Sequence, residues 1–95
     1  MKKEDFKGWS EVQAPLPRLW ISIGDRNFLL QWTSVCQVSA DAYFKELMFA
    51  TECGVFTLRS QGSLKDLFEA MQSEKVRKIE ACNLLRITFV EPKEE

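Results

Sequence analysis

The sequence predicts an α+β domain built mostly from antiparallel β-sheet, with one amphipathic helix over residues 63–71 and, as an open alternative, a second helix over residues 39–51. Three observations lead to this fold class. Apolar and polar residues alternate along several short segments, which is the period of a half-buried strand. Glycine, aspartate and asparagine separate these segments, as expected for tight turns. One later segment instead places apolar residues at i, i+3, i+4 and i+7, the spacing of a helix with one buried face.

The chain divides into an extended N-terminal arm (residues 1–17), a single small α+β domain (residues 18–90) and an acidic tail (residues 91–95). Residues 14–17 read Ala-Pro-Leu-Pro, which favours an extended backbone. The length of 95 residues suits one domain, and 45% hydrophobic with 28% charged residues is typical of a folded soluble protein. No apolar run is long enough to span a membrane and no signal-peptide pattern occurs. We therefore expect a cytoplasmic protein without a membrane partner.

Four aromatic residues each allow two interpretations. Phe6 and Trp9 stand in the polar arm, where they either fold back onto the domain or dock a protein partner. They are the candidate protein-interaction residues. Trp20 and Trp32 are typical of core or cross-strand positions, and the alternative is that one of them lines a binding face.

The strongest local pattern is a β-hairpin. Residues 18–23 alternate, residues 24–27 read Gly-Asp-Arg-Asn and predict a turn, and residues 28–32 resume β character. A short third strand is expected over residues 35–38. An exposed edge of this hairpin would allow pairing with a second copy of the chain, giving a dimer, or with a strand of a partner protein.

Residues 39–51 are ambiguous. A helix would carry one apolar stripe and begin at a Ser39 cap, and the residues are good helix formers. The stripe consists of Ala40, Tyr43, Phe44, Leu47 and Met48. The strand alternative places Tyr43, Leu47 and Phe49 on one side. The local pattern favours the helix.

The sequence after residue 51 predicts a turn, a strand, a helix and two further strands. Gly54 supplies a turn position that tolerates positive φ, and residues 55–59 alternate as a strand. Ser63 opens the predicted helix, with Asp66 three residues later in a capping arrangement. The apolar stripe of this helix consists of Leu64, Leu67, Phe68 and Met71. Two further strands are expected over residues 76–79 and 84–90.

No constellation for catalysis, metal binding or cofactor binding is found. The three cysteines stand far apart without a C-x-x-C pair, and the chain contains no histidine, which argues against a zinc site and against histidine-assisted nucleophiles. The four glycines are not spaced to cradle a phosphate, so no small-molecule cofactor is expected. Asp25, Asp41 and Asp66 are the candidate carboxylates, and each is explained by a turn or a helix cap. We therefore expect a protein that is not an enzyme.

The order of these features resembles a LytTR-type DNA-binding domain, the output module of many bacterial response regulators. Residues 18–32 are similar to its opening hairpin, and residues 35–43 to its short strand ending in Ala and Tyr. Residues 54–59 and 63–67 are similar to its glycine turn, strand and helix start. Residues 76–86 lie where the family carries its F-x-R-x-H-R-S-Y-L-V-N signature. Glu-Ala-Cys stands in place of the His-Arg-Ser core of that signature.

The resemblance implies a regulatory, DNA-binding function and a strand from Tyr43 onward, in conflict with the helical interpretation. The DNA contacts would come from four cationic side chains: Lys75, Arg77, Lys78 and Arg86. A solvated helix exit, where cations suit the helix dipole, is the alternative explanation of the first three. The net charge of −1 leaves only local basic patches. The competing hypothesis is a protein-interaction or homo-oligomerising module without nucleic-acid binding.

Overall fold

The computed structural model describes residues 8–91 as two four-stranded sheets and one helix. The strands are β1 (Trp9–Glu11), β2 (Arg18–Ile23), β3 (Arg26–Gln31), β4 (Val35–Ala40), β5 (Glu46–Thr51), β6 (Gly54–Ser60), β7 (Val76–Glu80) and β8 (Leu85–Val90), the α-helix is α1 (Lys65–Gln72), and a 3₁₀ turn spans Trp32–Ser34. Sheet 1 has the strand order β1-β7-β2-β3, and sheet 2 has the order β4-β5-β6-β8. The predicted α+β class with mostly antiparallel strands is confirmed. At eight residues, α1 is too short to cross a membrane, and it is the only α-helix between residues 8 and 91.

The inner faces of the two sheets share one hydrophobic core. Phe28 of β3 contacts Phe56 of β6 and Phe89 of β8, with ring centroids 5.1 Å and 4.8 Å apart. Helix α1 lies against β1 and β7 and adds its apolar stripe to the same core. The largest fully buried side chains are Phe49, Phe56, Leu19, Ile21, Leu47, Leu58, Leu64, Leu67, Ile79, Leu85 and Val76. Burial of these side chains at about 25 cal/mol per Å² is the main force that holds the sheets together.

The predicted hairpin is formed by β2 and β3, which pair in regular antiparallel register from Arg18↔Gln31 to Ile23↔Arg26. Its turn is only two residues long, Gly24 and Asp25, shorter than the four residues predicted. Gly24 has a φ of +58°. Glycine with positive φ at the first turn position is typical of type II′ turns, whose twist matches that of the flanking strands.

Strand β7 lies between β1 and β2, antiparallel to β1 and parallel to β2. A bulge interrupts its pairing with β1, because Ser10 pairs with Lys78 whereas Glu11 pairs with Val76. The extra residue shifts the inside–outside alternation of the strand. Val76 and Ile79, three positions apart, are therefore both buried, and Lys78 lies on the outer face of sheet 1.

The helical interpretation of residues 39–51 is wrong. This stretch is the end of β4, a turn and β5. Asp41 holds the turn: its Oδ1 accepts hydrogen bonds from the backbone N–H groups of Lys45 and Glu46, both at 2.8 Å. Phe44 has a φ of +57°, and Tyr43 is 79% exposed rather than part of an apolar stripe. Pairing of β5 with both neighbouring strands outweighs the local helix propensity.

Helix α1 differs from the prediction at both ends. Ser63 Oγ accepts a hydrogen bond from Lys65 N at 3.1 Å, so the expected capping of Asp66 N by Ser63 does not form. At the other end, the backbone N–H groups of Glu74 and Lys75 donate to the carbonyls of Met71 and Ala70, at 3.2 Å and 2.9 Å. These two bonds define a Schellman motif. Glu74 occupies its left-handed position with a φ of +60°, where glycine is usual.

Part of the predicted N-terminal arm belongs to sheet 1. Residues 9–11 form β1, and Trp9 is buried in the core at 4% exposure. Further along the arm, Val12 N donates to Lys75 O at 2.8 Å and Leu16 N donates to Glu74 O at 3.0 Å, so the backbone stays attached to the exit of α1. Residues 1–7, and residues 92–95 of the predicted acidic tail, lie outside the described residues.

Candidate binding surfaces

The outer face of sheet 1 holds an ordered cluster around Trp20. The alternation of β2 turns this side chain outward, and it is 37% exposed. Its indole N–H donates a hydrogen bond to Asn27 Oδ1 at 2.9 Å. Lys78 Nζ lies 3.9 Å from the indole ring centroid and 3.5 Å from Glu80 Oε1. We call Trp20, Asn27, Leu29, Lys78 and Glu80 the Trp20 face.

The contacts within the Trp20 face hold its aromatic ring in place and match its charges. A cation over an exposed indole contributes roughly 0.5–1 kcal/mol, and the indole N–H already has an acceptor. The ammonium of Lys78 is balanced by the carboxylate of Glu80. The face is therefore nearly neutral, with Trp20 and Leu29 as its apolar part, and its central side chain is already ordered, which lowers the entropy lost on binding.

Leu29 extends this face to the edge of the sheet. It pairs directly with Trp20 across the β2–β3 ladder and is 62% exposed. Strand β3 is the last strand of sheet 1, so its second edge pairs with no strand in the part of the chain that the structure describes. The outward side chains of β3 are Asn27, Leu29 and Gln31, none of them charged.

The structure does not bring the four predicted nucleic-acid-binding residues together. Lys75, Arg77 and Lys78 lie at the exit of α1 and along β7 in sheet 1. Arg86 lies on β8 in sheet 2. Lys78 is engaged with Trp20 and Glu80, and Arg77 is exposed beside the bulge. The four predicted residues therefore do not form one continuous patch that could contact DNA.

Arg86 instead lies in a second cluster, at one end of sheet 2. It pairs directly with Arg59 across the β6–β8 ladder, so the two side chains share one face. Arg59 Nε lies 2.7 Å from Glu46 Oε2 on its other side. No acidic side chain in residues 8–91 lies within ion-pair distance of Arg86. Sequence reasoning missed Arg59, although the strand predicted over residues 55–59 ends on it.

A cleft of about 260 Å³ opens beside these arginines, and we call it the Arg86 cleft. It is lined by Arg59, Ser60, Gln61, Asn83, Leu84 and Arg86. Lys45 Nζ donates to the carbonyl of Gln61 at 2.8 Å, which brings a third cation to the same end of the sheet. Glu46 is the acid paired there.

Each of the three candidate carboxylates lies in a turn between strands or in the first turn of the helix. Asp25 lies in the hairpin turn and Asp66 in the first turn of α1. The pKa of Asp41 is lowered below its ordinary value of 3.8, chiefly because its carboxylate accepts the backbone N–H of Glu46, with further hydrogen bonds from Lys45 and Tyr43. Among residues 8–91 no group of three or more histidine, cysteine, aspartate or glutamate side chains could hold a metal ion, and the three cysteines form no disulfide.

A larger cleft of about 500 Å³ lies between the 3₁₀ turn and the exit of α1. Its lining residues are Pro17, Arg18, Gln31, Trp32, Thr33 and Glu74. The indole Nε1 of Trp32 is buried and has no hydrogen-bond partner in the described part of the chain. An unsatisfied buried donor costs about 1–3 kcal/mol. The apolar area that the Trp32 ring buries in the core offsets this cost.

The two predicted protein-interaction residues do not form a surface in the described structure. Trp9 is in the core, which is the fold-back alternative, and Phe6 lies outside residues 8–91. Comparison with protein-family models, with curated proteins and with solved structures gives no significant match.

Proposed function

We propose that this chain is a non-enzymatic protein-interaction domain that joins a second copy of itself through the free edge of β3. The observation that carries the proposal is an edge strand whose outward side chains are uncharged and whose outward Leu29 adjoins the ordered Trp20. Adding a strand to such an edge satisfies its backbone hydrogen-bonding groups and buries apolar side chains at the same time.

The other edge strands carry features that discourage strand addition. Strand β1 is only three residues long, and β4 has an irregular register between Val35 and Gln37. Strand β8 presents Arg86 on its outer face. Short strands, bulges and charges are the devices that block edge pairing, and β3, at six residues in regular register, has none of them between its ends.

A second copy fits this edge without a charge clash. Antiparallel pairing centred on Leu29 would place it opposite Leu29 of the second copy and Asn27 opposite Gln31. Each residue would then keep its own face, as the two-residue period of a strand requires. The two Trp20 side chains would flank a central pair of leucines, forming one continuous apolar row across the joined sheets.

Analytical ultracentrifugation over a concentration series tests the proposal. We expect the wild-type chain to sediment as a dimer whose population rises with concentration. Leu29→Lys should shift the chain to monomer, because a charge on the edge would have to be desolvated on pairing. Val90→Lys is the matched control: Val90 is 64% exposed at the edge of sheet 2, and its substitution should leave the dimer intact.

A monomer at every concentration would overturn the homotypic interface, and equal loss of dimer in both variants would show that a charge acts nonspecifically.

The LytTR-like DNA-binding function is the second candidate, favoured by the close spacing of Lys75, Arg77 and Lys78. Fluorescence anisotropy with mixed-sequence duplex DNA tests it, because phosphate contacts would make the affinity fall steeply with salt. Arg77→Ala is the informative variant, since it leaves the Trp20 face unchanged. A cytoplasmic location stays a prediction.

A further inference from the structure

The Arg86 cleft holds two like charges side by side, an arrangement that folding alone does not favour. Arg59 and Arg86 are direct cross-strand partners on one face, and like charges in such pairs are destabilising. Arg59 uses its Nε for Glu46, at 2.7 Å, and so has one acidic neighbour. Arg86 has none within residues 8–91. The cluster therefore has an excess of positive charge that an anion would balance.

The neutral residues of the Arg86 cleft add hydrogen-bond donors. Asn83 lies in the two-residue turn between Cys82 and Leu85, which form an isolated β-bridge. The side-chain amide of Asn83 makes no hydrogen bond to the described residues. Gln61 N donates to Leu84 O at 3.4 Å, which links the two loops that form the cleft walls. The donors are thus carried by loops that are attached to each other and to the ends of two paired strands.

We infer that the Arg86 cleft binds the phosphoryl group of a small phosphorylated molecule. Guanidinium groups present planar pairs of N–H donors that match the oxygens of a phosphoryl group. Lys45, Arg59 and Arg86 together exceed the one acid at this site, Glu46, by two charges, which a doubly charged phosphoryl group would balance. A phosphomonoester carries between 1.5 and 2 negative charges at neutral pH. With Lys45, the cluster has three cations against the one carboxylate of Glu46, so a single further carboxylate would leave one positive charge unbalanced.

An NMR titration of the whole chain with inorganic phosphate, at constant ionic strength maintained with chloride, tests this site. We expect saturable shifts of the Nε–H signals of Arg59 and Arg86 and of the Asn83 amide, with the signal of Trp20 unmoved. O-phospho-L-serine should give the same pattern. Acetate should not saturate the site at the same concentrations.

Two variants separate the site from general charge effects. Arg86→Gln should weaken phosphate binding at least tenfold, since it removes a charge-assisted pair of hydrogen-bond donors. Without phosphate, Arg86→Gln should raise the melting temperature, because it removes a like-charge neighbour. The matched control is Arg18→Gln, an exposed arginine on sheet 1, which should leave the affinity unchanged.

The inference is overturned if acetate binds as tightly as phosphate, or if both variants weaken phosphate binding equally. It is also overturned if Arg86→Gln lowers the melting temperature in phosphate-free buffer, because Arg86 would then stabilise the fold itself. Binding of a single-stranded oligonucleotide without binding of inorganic phosphate or phosphoserine would assign the cleft to nucleic acid instead. Because the dimer test uses β3 of sheet 1, the outcomes at the two sites are independent.

Discussion

Replacing Glu74 by glycine should stabilise the protein. Glu74 has a φ of +60° at the left-handed position of the Schellman motif that ends α1. A left-handed conformation costs an L-residue roughly 1–2 kcal/mol, and glycine avoids this cost. Glycine also increases the entropy of the unfolded chain, which opposes the gain by about 0.4–1 kcal/mol. The backbone effect alone should therefore raise the free energy of unfolding by roughly 0.5–1 kcal/mol.

The carboxylate of Glu74 also destabilises the fold, and a separate variant is needed to measure its contribution. A negative charge near a helix C-terminus is unfavourable by about 0.3–1 kcal/mol. Glu74→Gln removes the charge and keeps the left-handed side chain, so it should gain only this amount. Glu74→Gly should gain the charge effect and the backbone effect together.

Urea denaturation of the wild-type chain and both variants measures the two contributions. A gain of 1 kcal/mol corresponds to a rise in melting temperature of roughly 4–8 °C for a domain of this size. The denaturant dependence, m, should be the same in all three proteins, since the folded and unfolded states expose similar surface. A glycine variant no more stable than the glutamine variant would refute the reasoning from backbone strain.

Two further substitutions test other turns. The depressed pKa of Asp41 means that its carboxylate stabilises the fold above the unfolded-state pKa, and that this stability is lost as the pH falls through the lower folded-state value. Asp41→Asn should therefore be less stable than wild type at neutral pH. Urea denaturation should show this difference in stability vanishing well below pH 3.8. Persistence of the full difference in acid would contradict this. Gly54→Ala should destabilise by roughly 1–3 kcal/mol, because Gly54 has a φ of +150° and an added Cβ would overlap the carbonyl oxygen of Val90. Gly62→Ala, whose Cβ would meet nothing closer than 4.0 Å, should change the melting temperature little, and equal effects of the two alanines would rule out the steric explanation.

Much of the fold was predictable because the decisive signals are local. The alternation along residues 18–23 predicted a half-buried strand, in which Leu19 and Ile21 are buried, and the expected hairpin closes at Gly24-Asp25. The helix after Ser63 carries the predicted apolar stripe. In each case a neighbour within a few residues along the chain supplies the physical cause.

The missed features depend on contacts between distant parts of the chain. Strand β1 pairs with β7, which lies more than sixty positions away in sequence, so nothing near Trp9 indicates a strand. The stretch over residues 39–51 has real helix propensity, and its partners β4 and β6 decide against it. The position of Arg59 beside Arg86 follows only from the β6–β8 register.

The central place of β7 in sheet 1 sets the order in which the molecule can be completed during synthesis. The hairpin of β2 and β3 and the β4–β5–β6 meander join consecutive strands, and each can pair as soon as it leaves the ribosome. Sheet 1 cannot be completed before β7 is synthesised, because β1 is joined to β2 only through β7, which follows both strands in sequence. Until then the β7 side of β2 beside Ile21 stays open, and β1 is not yet part of a sheet. The last third of the chain is what converts two separate strand groups into one domain.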